Sequence, residues 1–168
     1  HIGPARLGTP TNPGASGFDE WFSAPNFFDN DPIMSRNGTA VKTEGESSMV
    51  TADAALEFIE KQVEHDQPFL AVVWFGNPHR PHEPHGKYKE MYSDQDEKKQ
   101  NLYAEITAMD AAVGKMRESL RDLGIHENTI FWYTSDNGGL PEAEASGGRG
   151  YKGDIYEGGL RVPAILEW

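Results

Sequence analysis

Residues 129–139 are an apolar run followed at once by polar residues and glycine: Thr129-Ile130-Phe131-Trp132-Tyr133-Thr134-Ser135-Asp136-Asn137-Gly138-Gly139. The β-branched and aromatic side chains of 129–134 predict a buried strand. In open α/β sheets, ligands bind at the carboxyl ends of the strands, where loops expose polar groups. The sequence therefore predicts a strand over 129–134 and a candidate ligand site in the turn that follows it.

Two helices are predicted before this strand. In the longer one, apolar residues alternate at spacings of four and three up to Gly124, a residue suited to end a helix; they are Leu102, Ile106, Met109, Val113, Met116, Leu120 and Leu123. The shorter one is predicted to begin at Thr51 as N-cap and to end near His65, with Leu56 and Ile59 on its apolar face.

The apolar run Phe69–Phe75 shows no alternation, which predicts a second strand buried on both faces. Its order with the long helix and 129–134 predicts a right-handed parallel unit. We therefore expect an α/β fold with a mixed, largely parallel central sheet flanked by helices. Residues 1–48 are predicted to be irregular, and 49–168 to form the α/β core. The chain starts without Met and stops in the apolar run 162–166, so we expect it to be incomplete at both ends.

Composition excludes several classes of function. The chain has 27 acidic and 15 basic residues and a formal charge of −12, which argues against binding to nucleic acid or to an anionic membrane. No apolar run approaches the roughly 20 residues that a membrane helix needs, so no membrane span is expected. The absence of cysteine excludes disulfides, zinc-thiolate sites and a cysteine nucleophile within these 168 residues.

Three candidate sites follow from the residues alone. Prolines at 78, 81 and 84 would let His79, His82 and His85 share one face of a polyproline helix, giving a cationic or metal-binding face; the alternative is a proline-rich surface loop. Asp136-Asn137 supplies hard oxygen donors suited to Ca²⁺ or Mg²⁺, but also has the composition of an ordinary turn. Arg149 and Lys152 form a local basic patch, which is either a solvated loop or a site for sulfate or phosphate oxygens.

Two blocks of sequence resemble the type I sulfatases, formylglycine-dependent enzymes of the alkaline-phosphatase-like superfamily. One block is 135–139, and the other is Tyr151-Lys152-Gly153-Asp154-Ile155-Tyr156-Glu157-Gly158-Gly159-Leu160-Arg161-Val162-Pro163. Segment 69–82, the Met109-Asp110 pair and Gly17-Phe18-Asp19 are similar to the same family in the same order. The resemblance implies that 1–168 is a single partial sulfatase catalytic domain, the C-terminal part of the whole.

The resemblance also implies roles for individual residues. Asp136 and Asn137 correspond to two ligands of a single Ca²⁺ ion. Lys152 corresponds to the lysine that contacts the sulfate oxygens as a compact positive charge. His79 corresponds to the histidine that binds sulfate and protonates the leaving alkoxide, a general acid task suited to imidazole.

Two further histidines are assigned through the same resemblance. His1, with Ile2-Gly3, is similar to the end of a family motif whose imidazole acts as the base on the covalent sulfate adduct. His82 is expected to bind substrate, and His85 is a further candidate for substrate recognition. The family's formylglycine arises from a Cys/Ser-x-Pro-x-Arg motif that these residues lack, so we expect it upstream and expect this segment alone to be inactive.

The activity implied for the intact enzyme is hydrolysis of a sulfate ester, on a sulfated small molecule or glycan, through a formylglycine sulfate intermediate. A sulfated carbohydrate is the expected substrate class. Two alternatives stay open: a phosphonate or phosphate diester hydrolase of the same superfamily, and a non-catalytic Ca²⁺-dependent binder of sulfated glycans. The family further implies an exported protein, in the periplasm, the extracellular space or the lysosome.

Overall fold

The computed structural model describes residues 8–24, 30–141 and 148–168. It contains four α-helices and five strands in these ranges, with single 3₁₀ turns at Pro13–Ser16, Glu90–Tyr92 and His126–Asn128. In chain order the elements are β1 (Phe22–Ser23), β2 (Ile33–Arg36), β3 (Thr39–Lys42), α1 (Ser47–Glu64), α2 (Gly86–Lys89), α3 (Glu97–Asp122), β4 (Phe131–Thr134), α4 (Glu157–Leu160) and β5 (Ala164–Glu167). In this described part of the chain, no helix combines the length and apolarity needed to cross a lipid bilayer.

Both predicted helices are present, and one of the predicted caps is wrong. The carboxylate of Glu46 caps α1 by accepting the Ser48 and Met49 amides at 2.9 and 3.0 Å. The helix therefore starts four residues before Thr51, whose hydroxyl donates to the Ser47 carbonyl inside the helix. α3 ends as expected before Gly124, which adopts φ +71°.

The core lies between α1 and α3. Ala52 and Leu56 of α1 pack against Ala112 and Met116 of α3, and all four are buried. Small alanines at the crossing let the two helices approach closely, so that larger side chains fill the space beside them. The partly buried side chains that pack against this cluster come from α1 itself, from segment 69–75 and from β4: Met49, Ala55, Val73, Phe75 and Phe131.

The prediction that Phe69–Phe75 is a strand buried on both faces is wrong for the described residues. No strand is formed there, and the side chains alternate in exposure. Val73 and Phe75 pack on the helices, whereas Leu70 is 75% and Trp74 67% exposed. The cause is that a strand needs a ladder partner, and no described segment pairs with this one. Helices α1 and α3 cover only the face of this segment that carries Val73 and Phe75.

The predicted strand over 129–134 is present over 131–134 as β4, but the prediction that it is buried is wrong for the described residues, since Ile130 is 60% and Trp132 67% exposed. Its described partner is antiparallel. β5 pairs with it in the register Phe131↔Glu167 to Thr134↔Ala164. The expected parallel unit is therefore not found among the described residues. Glu167 also accepts from Arg121 at 2.9 Å, which ties this pair of strands to α3. The fold class is mixed α/β.

Residues 1–48 were expected to be irregular, and the described part of them contains a small antiparallel sheet in the order β1-β2-β3. β2 and β3 are joined by Asn37-Gly38, with φ of 50° and 89°. Two central residues with positive φ are typical of a type I′ turn, the hairpin turn that matches the twist of paired strands. The Asn-Gly pair was therefore a usable hairpin signal.

Candidate functional site

The Asp136-Asn137 pair lies in the turn directly after β4. The hydroxyl of Ser135 donates to the Asn137 carbonyl at 2.9 Å, which closes the turn. Asp136 is exposed and Asn137 is half-buried. No described residue donates a hydrogen bond to the side-chain oxygens of either residue, so these oxygens are available to a ligand.

Lys152 lies at the tip of a closed loop. The backbone N–H of Tyr151 donates to Oδ2 of Asp154 at 2.9 Å, and the Asp154 N–H donates back to the Tyr151 carbonyl at 2.9 Å. Gly150 and Gly153 flank the tip with φ of 81° and 94°, a conformation that favours glycine. The Lys152 side chain is exposed, and within the described ranges it forms no ion pair.

Backbone hydrogen bonds join this loop to the turn after β4. The Gly138 N–H donates to the Gly159 carbonyl at 2.9 Å, and the Lys152 N–H donates to the Gly139 carbonyl at 3.0 Å. A Cβ on Gly138 would overlap the Gly158 carbonyl oxygen, so the approach is open only to glycine. We call 135–139 together with 148–160 the Asp136–Lys152 unit. It holds two oxygen donors and one cation on a single hydrogen-bonded framework.

His79 and His82 lie in a second loop, 77–83, which we call the histidine loop. Nδ1 of His79 donates to the Arg80 carbonyl at 2.7 Å, which leaves Nε2 as the basic nitrogen of the neutral ring. Nε2 of His82 donates to the Pro78 carbonyl at 3.1 Å. Burial lowers the pKa of His82, and the nearby charges of Arg80 and His79 act in the same direction. His82 is therefore neutral near pH 7.

Of the two alternatives for the three histidines, the shared polyproline face does not form in the described residues, and the proline-rich loop does. The loop turns at 77–78 and bends at 80–81, and His85 lies at the exposed N-terminus of α2 rather than beside the other two rings. Across the described ranges, no group of three or more His, Asp and Glu side chains is placed to hold a metal ion. The histidines are thus not arranged as a metal centre.

Two buried carboxylates support the histidine loop, and sequence reasoning missed both. Glu105 on α3 is 3% exposed, and Glu46 before α1 is 6% exposed. Burial raises the pKa of Glu105 to about 7, and the charges of Glu46 and Glu83 add to the effect. The signal was present in the sequence, because Glu105 falls three residues after Leu102, within the apolar stripe of α3.

Asp136 and Asn137 fit part of a Ca²⁺ site. Their oxygens are the hard donors that Ca²⁺ prefers, and the adjoining glycines let backbone approach closely. Two ligands are well below the roughly six to eight oxygens of a complete Ca²⁺ site. The described residues therefore supply a share of such a site, and the remaining ligands would come from elsewhere.

Backbone hydrogen bonds join the turn that carries Asp136 and Asn137 to the loop that carries Lys152, whereas His79 and His82 lie in the separate histidine loop. Both groups are supported by one surface, since Phe75 before the loop and Phe131 of β4 pack on the same cluster of α1 and α3. His1 lies outside the described residues. The catalytic and binding roles of these residues stay predictions.

Comparison with known proteins identifies the family. The family model described as Sulfatase matches residues 2–168. The uncharacterised sulfatase YdeN of Escherichia coli (strain K12) is 28% identical over 164 residues, which cover 95% of this chain and 29% of the relative. An ulvan-active sulfatase of Formosa agariphila is 31% identical over 173 residues, covering 90% of this chain and 34% of the relative.

A solved structure supports the fold. The crystal structure of Ps i-CgsB in complex with k-i-k-neocarrahexaose matches with a TM-score of 0.86 and 24% identity, covering 95% of this chain and 42% of that one. The expected alkaline-phosphatase-like α/β architecture is confirmed at this level. This chain spans about a third of the length of the two curated relatives. With a family model matched over 2–168, the chain belongs to the sulfatase family.

Proposed function

We propose that the full-length protein hydrolyses a sulfate ester of a sulfated carbohydrate. The observation that carries the proposal is the Asp136–Lys152 unit, where two oxygen donors and one ammonium, none of them bonded to another described side chain, share a backbone framework. An anionic ester bound to a cation needs this combination: ligands for the metal and a separate positive charge for the sulfate oxygens. The 31% identity to an ulvan-active sulfatase supports a carbohydrate substrate.

The proposed roles follow the chemistry of each side chain. Lys152 neutralises charge on the sulfate oxygens. His79, protonated on both ring nitrogens, gives the Nε2 proton to the leaving alkoxide while Nδ1 stays bonded to the Arg80 carbonyl. His82 is neutral and offers Nδ1 as an acceptor to a substrate hydroxyl. His1 is proposed as the base that acts when sulfate is released.

Two groups would complete the site. Asp136 and Asn137 are proposed to hold a Ca²⁺ ion, which supplies positive charge at the sulfate. The chain has no cysteine and no Ser-x-Pro-x-Arg, so a formylglycine nucleophile would come from outside these 168 residues. Location outside the cytoplasm, in the periplasm, the extracellular space or the lysosome, belongs to the same proposal and is supported by family membership alone.

Release of inorganic sulfate tests the proposed function directly. We expect the full-length protein to release sulfate from sulfated oligosaccharides and to turn over a sulfate monoester faster than a phosphate diester with the same leaving group. Ion chromatography measures the sulfate, and absorbance of the leaving group compares the two esters. Faster phosphate diester turnover would contradict the proposal, as would glycan binding without any sulfate release.

The metal assignment predicts that Asn137→Ala weakens Ca²⁺ binding to the full-length protein by roughly tenfold or more. The basis is that even residues that only orient metal ligands change affinity by about 10- to 100-fold, and Asn137 is proposed as a ligand itself. Calorimetric titration of Ca²⁺ measures the change. Asn128→Ala, at an exposed asparagine before β4, is the matched control. Equal affinities of Asn137→Ala and the unmutated protein would remove Asn137 from the metal site.

A further inference from the structure

The histidine loop is tied at its first residue to the start of α1. The side-chain amide of Asn77 donates to Oε1 of Glu46 at 2.8 Å. Glu46 is itself held, because its carboxylate caps α1 through the Ser48 and Met49 amides. Asn77 therefore binds a carboxylate whose place is set by a helix of 18 residues.

The last residue of the loop is tied to α3. The Glu83 N–H donates to Oε1 of Glu105 at 2.7 Å. The Glu83 carbonyl accepts from the Asn30 amide at 2.7 Å, so both backbone groups of Glu83 are bonded. The two ends of the loop are thus held by the side chains of Glu46, the N-cap of α1, and of Glu105, within α3.

Few backbone torsion angles are free to change in the histidine loop between Asn77 and Glu83. The rings of Pro78 and Pro81 fix φ at two positions. The His79 N–H donates to the Gly76 carbonyl at 2.9 Å, and the His82 ring bonds to the Pro78 carbonyl across the loop. Because the loop is constrained in this way, its position is set by its two end residues. A shift of Asn77 or of Glu83 therefore moves the imidazoles of both His79 and His82.

We propose that Glu105 and Glu46 are positioning residues that set the place of His79 and His82 in the site. The proposal rests on the function proposed above, because it gives the two histidines their chemical roles. Neither carboxylate needs to touch substrate, since each acts through the backbone or the amide of a loop end. Glu105 is the stronger determinant, because it holds the residue next to His82.

The environment of Glu105 supports a positioning role over a packing role. Burying a carboxyl group costs free energy, which is reflected in a pKa near 7. Its second oxygen, Oε2, is buried and has no hydrogen-bond partner in the described part of the chain. An apolar side chain would avoid this cost but would lose the bond to the Glu83 N–H. The carboxyl group thus contributes the fixed loop end rather than core stability.

Kinetics of three variants test the proposal in the full-length protein. Glu105→Ala is expected to lower kcat for a sulfate ester roughly tenfold or more, with KM changed less than about threefold, because misplaced groups lose transition-state contacts first. Glu105→Gln keeps an acceptor oxygen for the Glu83 N–H and is expected to stay within about threefold of the unmutated protein. Glu118→Ala, exposed on the same helix, is the control and is expected to change neither constant.

Amide hydrogen exchange over 76–84 gives a readout independent of turnover. We expect faster exchange in Glu105→Ala and unchanged exchange in Glu105→Gln and Glu118→Ala. Asn77→Ala frees the other end of the loop and is expected to show the same lower kcat and faster exchange. This variant tests the proposal even if Glu105→Ala does not fold. Unchanged kcat and exchange in either alanine variant at a loop end would overturn the proposal. Absence of sulfate ester turnover in the unmutated protein would overturn the proposed function instead, and exchange would still decide the anchoring.

Discussion

Lys152→Ala is expected to lower kcat for a sulfate ester at least about a hundredfold in the full-length protein, the effect of removing one charge-stabilising group. The ammonium is at the tip of the 151–154 loop and forms no ion pair within the described ranges, so it is available to the sulfate oxygens. The Lys152 backbone N–H is bonded to the Gly139 carbonyl, which fixes the base of the side chain beside the Asp136 turn. Steady-state sulfate release measures the loss.

Two further variants define what the loss means. Lys98→Ala removes an exposed lysine in the first turn of α3 and is expected to leave kcat unchanged. Lys152→Arg keeps the charge but replaces a compact ammonium with a planar guanidinium, so an intermediate kcat is expected. A kcat for Lys152→Ala within about threefold of the unmutated protein would show that Lys152 does not act on the sulfate group.

The helical part of the fold was predictable because its signals are local. Leu102, Met109 and Met116 mark a stripe that only a helix can align, and Gly124 supplies the backbone conformation that ends it. The start of α1 was misplaced for an equally local reason. A hydroxyl at Thr51 is a common cap, but Glu46 captures two backbone amides one turn earlier, and glutamate is a weak cap signal in sequence.

The sheet was less predictable, since an apolar run in the sequence specifies neither the partner strand nor whether both faces of the strand are covered. The side chains of Phe69–Phe75 have one face on the helices and the other face exposed in the described structure. The direction of β5 relative to β4 depends on how 135–163 returns, and no residue spacing encodes that path. The Asn37-Gly38 hairpin is the exception, because the turn type follows from two adjacent residues.

In the candidate site too, local sequence signals were predictable and contacts between distant segments were not. Position after an apolar run selected the Asp136-Asn137 turn as a candidate, and the basic residues Arg149 and Lys152 selected the second loop; the roles of both stay predictions. Their contact could not be derived from spacing, because the hydrogen bonds that join them connect Gly138 with Gly159 and Gly139 with Lys152, residues that are far apart in the sequence. Family resemblance related the two blocks, and the structure shows the contact itself.

Gly138→Ala is expected to break this contact and to destabilise the full-length protein by about 1–3 kcal/mol, the usual range for an overpacked site. A Cβ at Gly138 would overlap the Gly158 carbonyl oxygen and would lie 2.8 Å from its carbon and 2.9 Å from the Gly159 Cα. All three atoms are backbone, so no side chain can move aside. The Lys152 loop must then separate from the turn, and we expect kcat to fall together with the melting temperature.

Gly114→Ala is the matched control, because the same methyl group has the opposite effect there. Gly114 is inside α3, and a Cβ at this position meets nothing within 4 Å. Alanine is favoured over glycine in a helix interior by about 0.5–1 kcal/mol, so this variant is expected to raise the melting temperature and leave kcat unchanged. Calorimetric melting of both variants measures the contrast. If Gly138→Ala melts like Gly114→Ala and keeps full turnover, close backbone approach does not hold Lys152 beside Asp136.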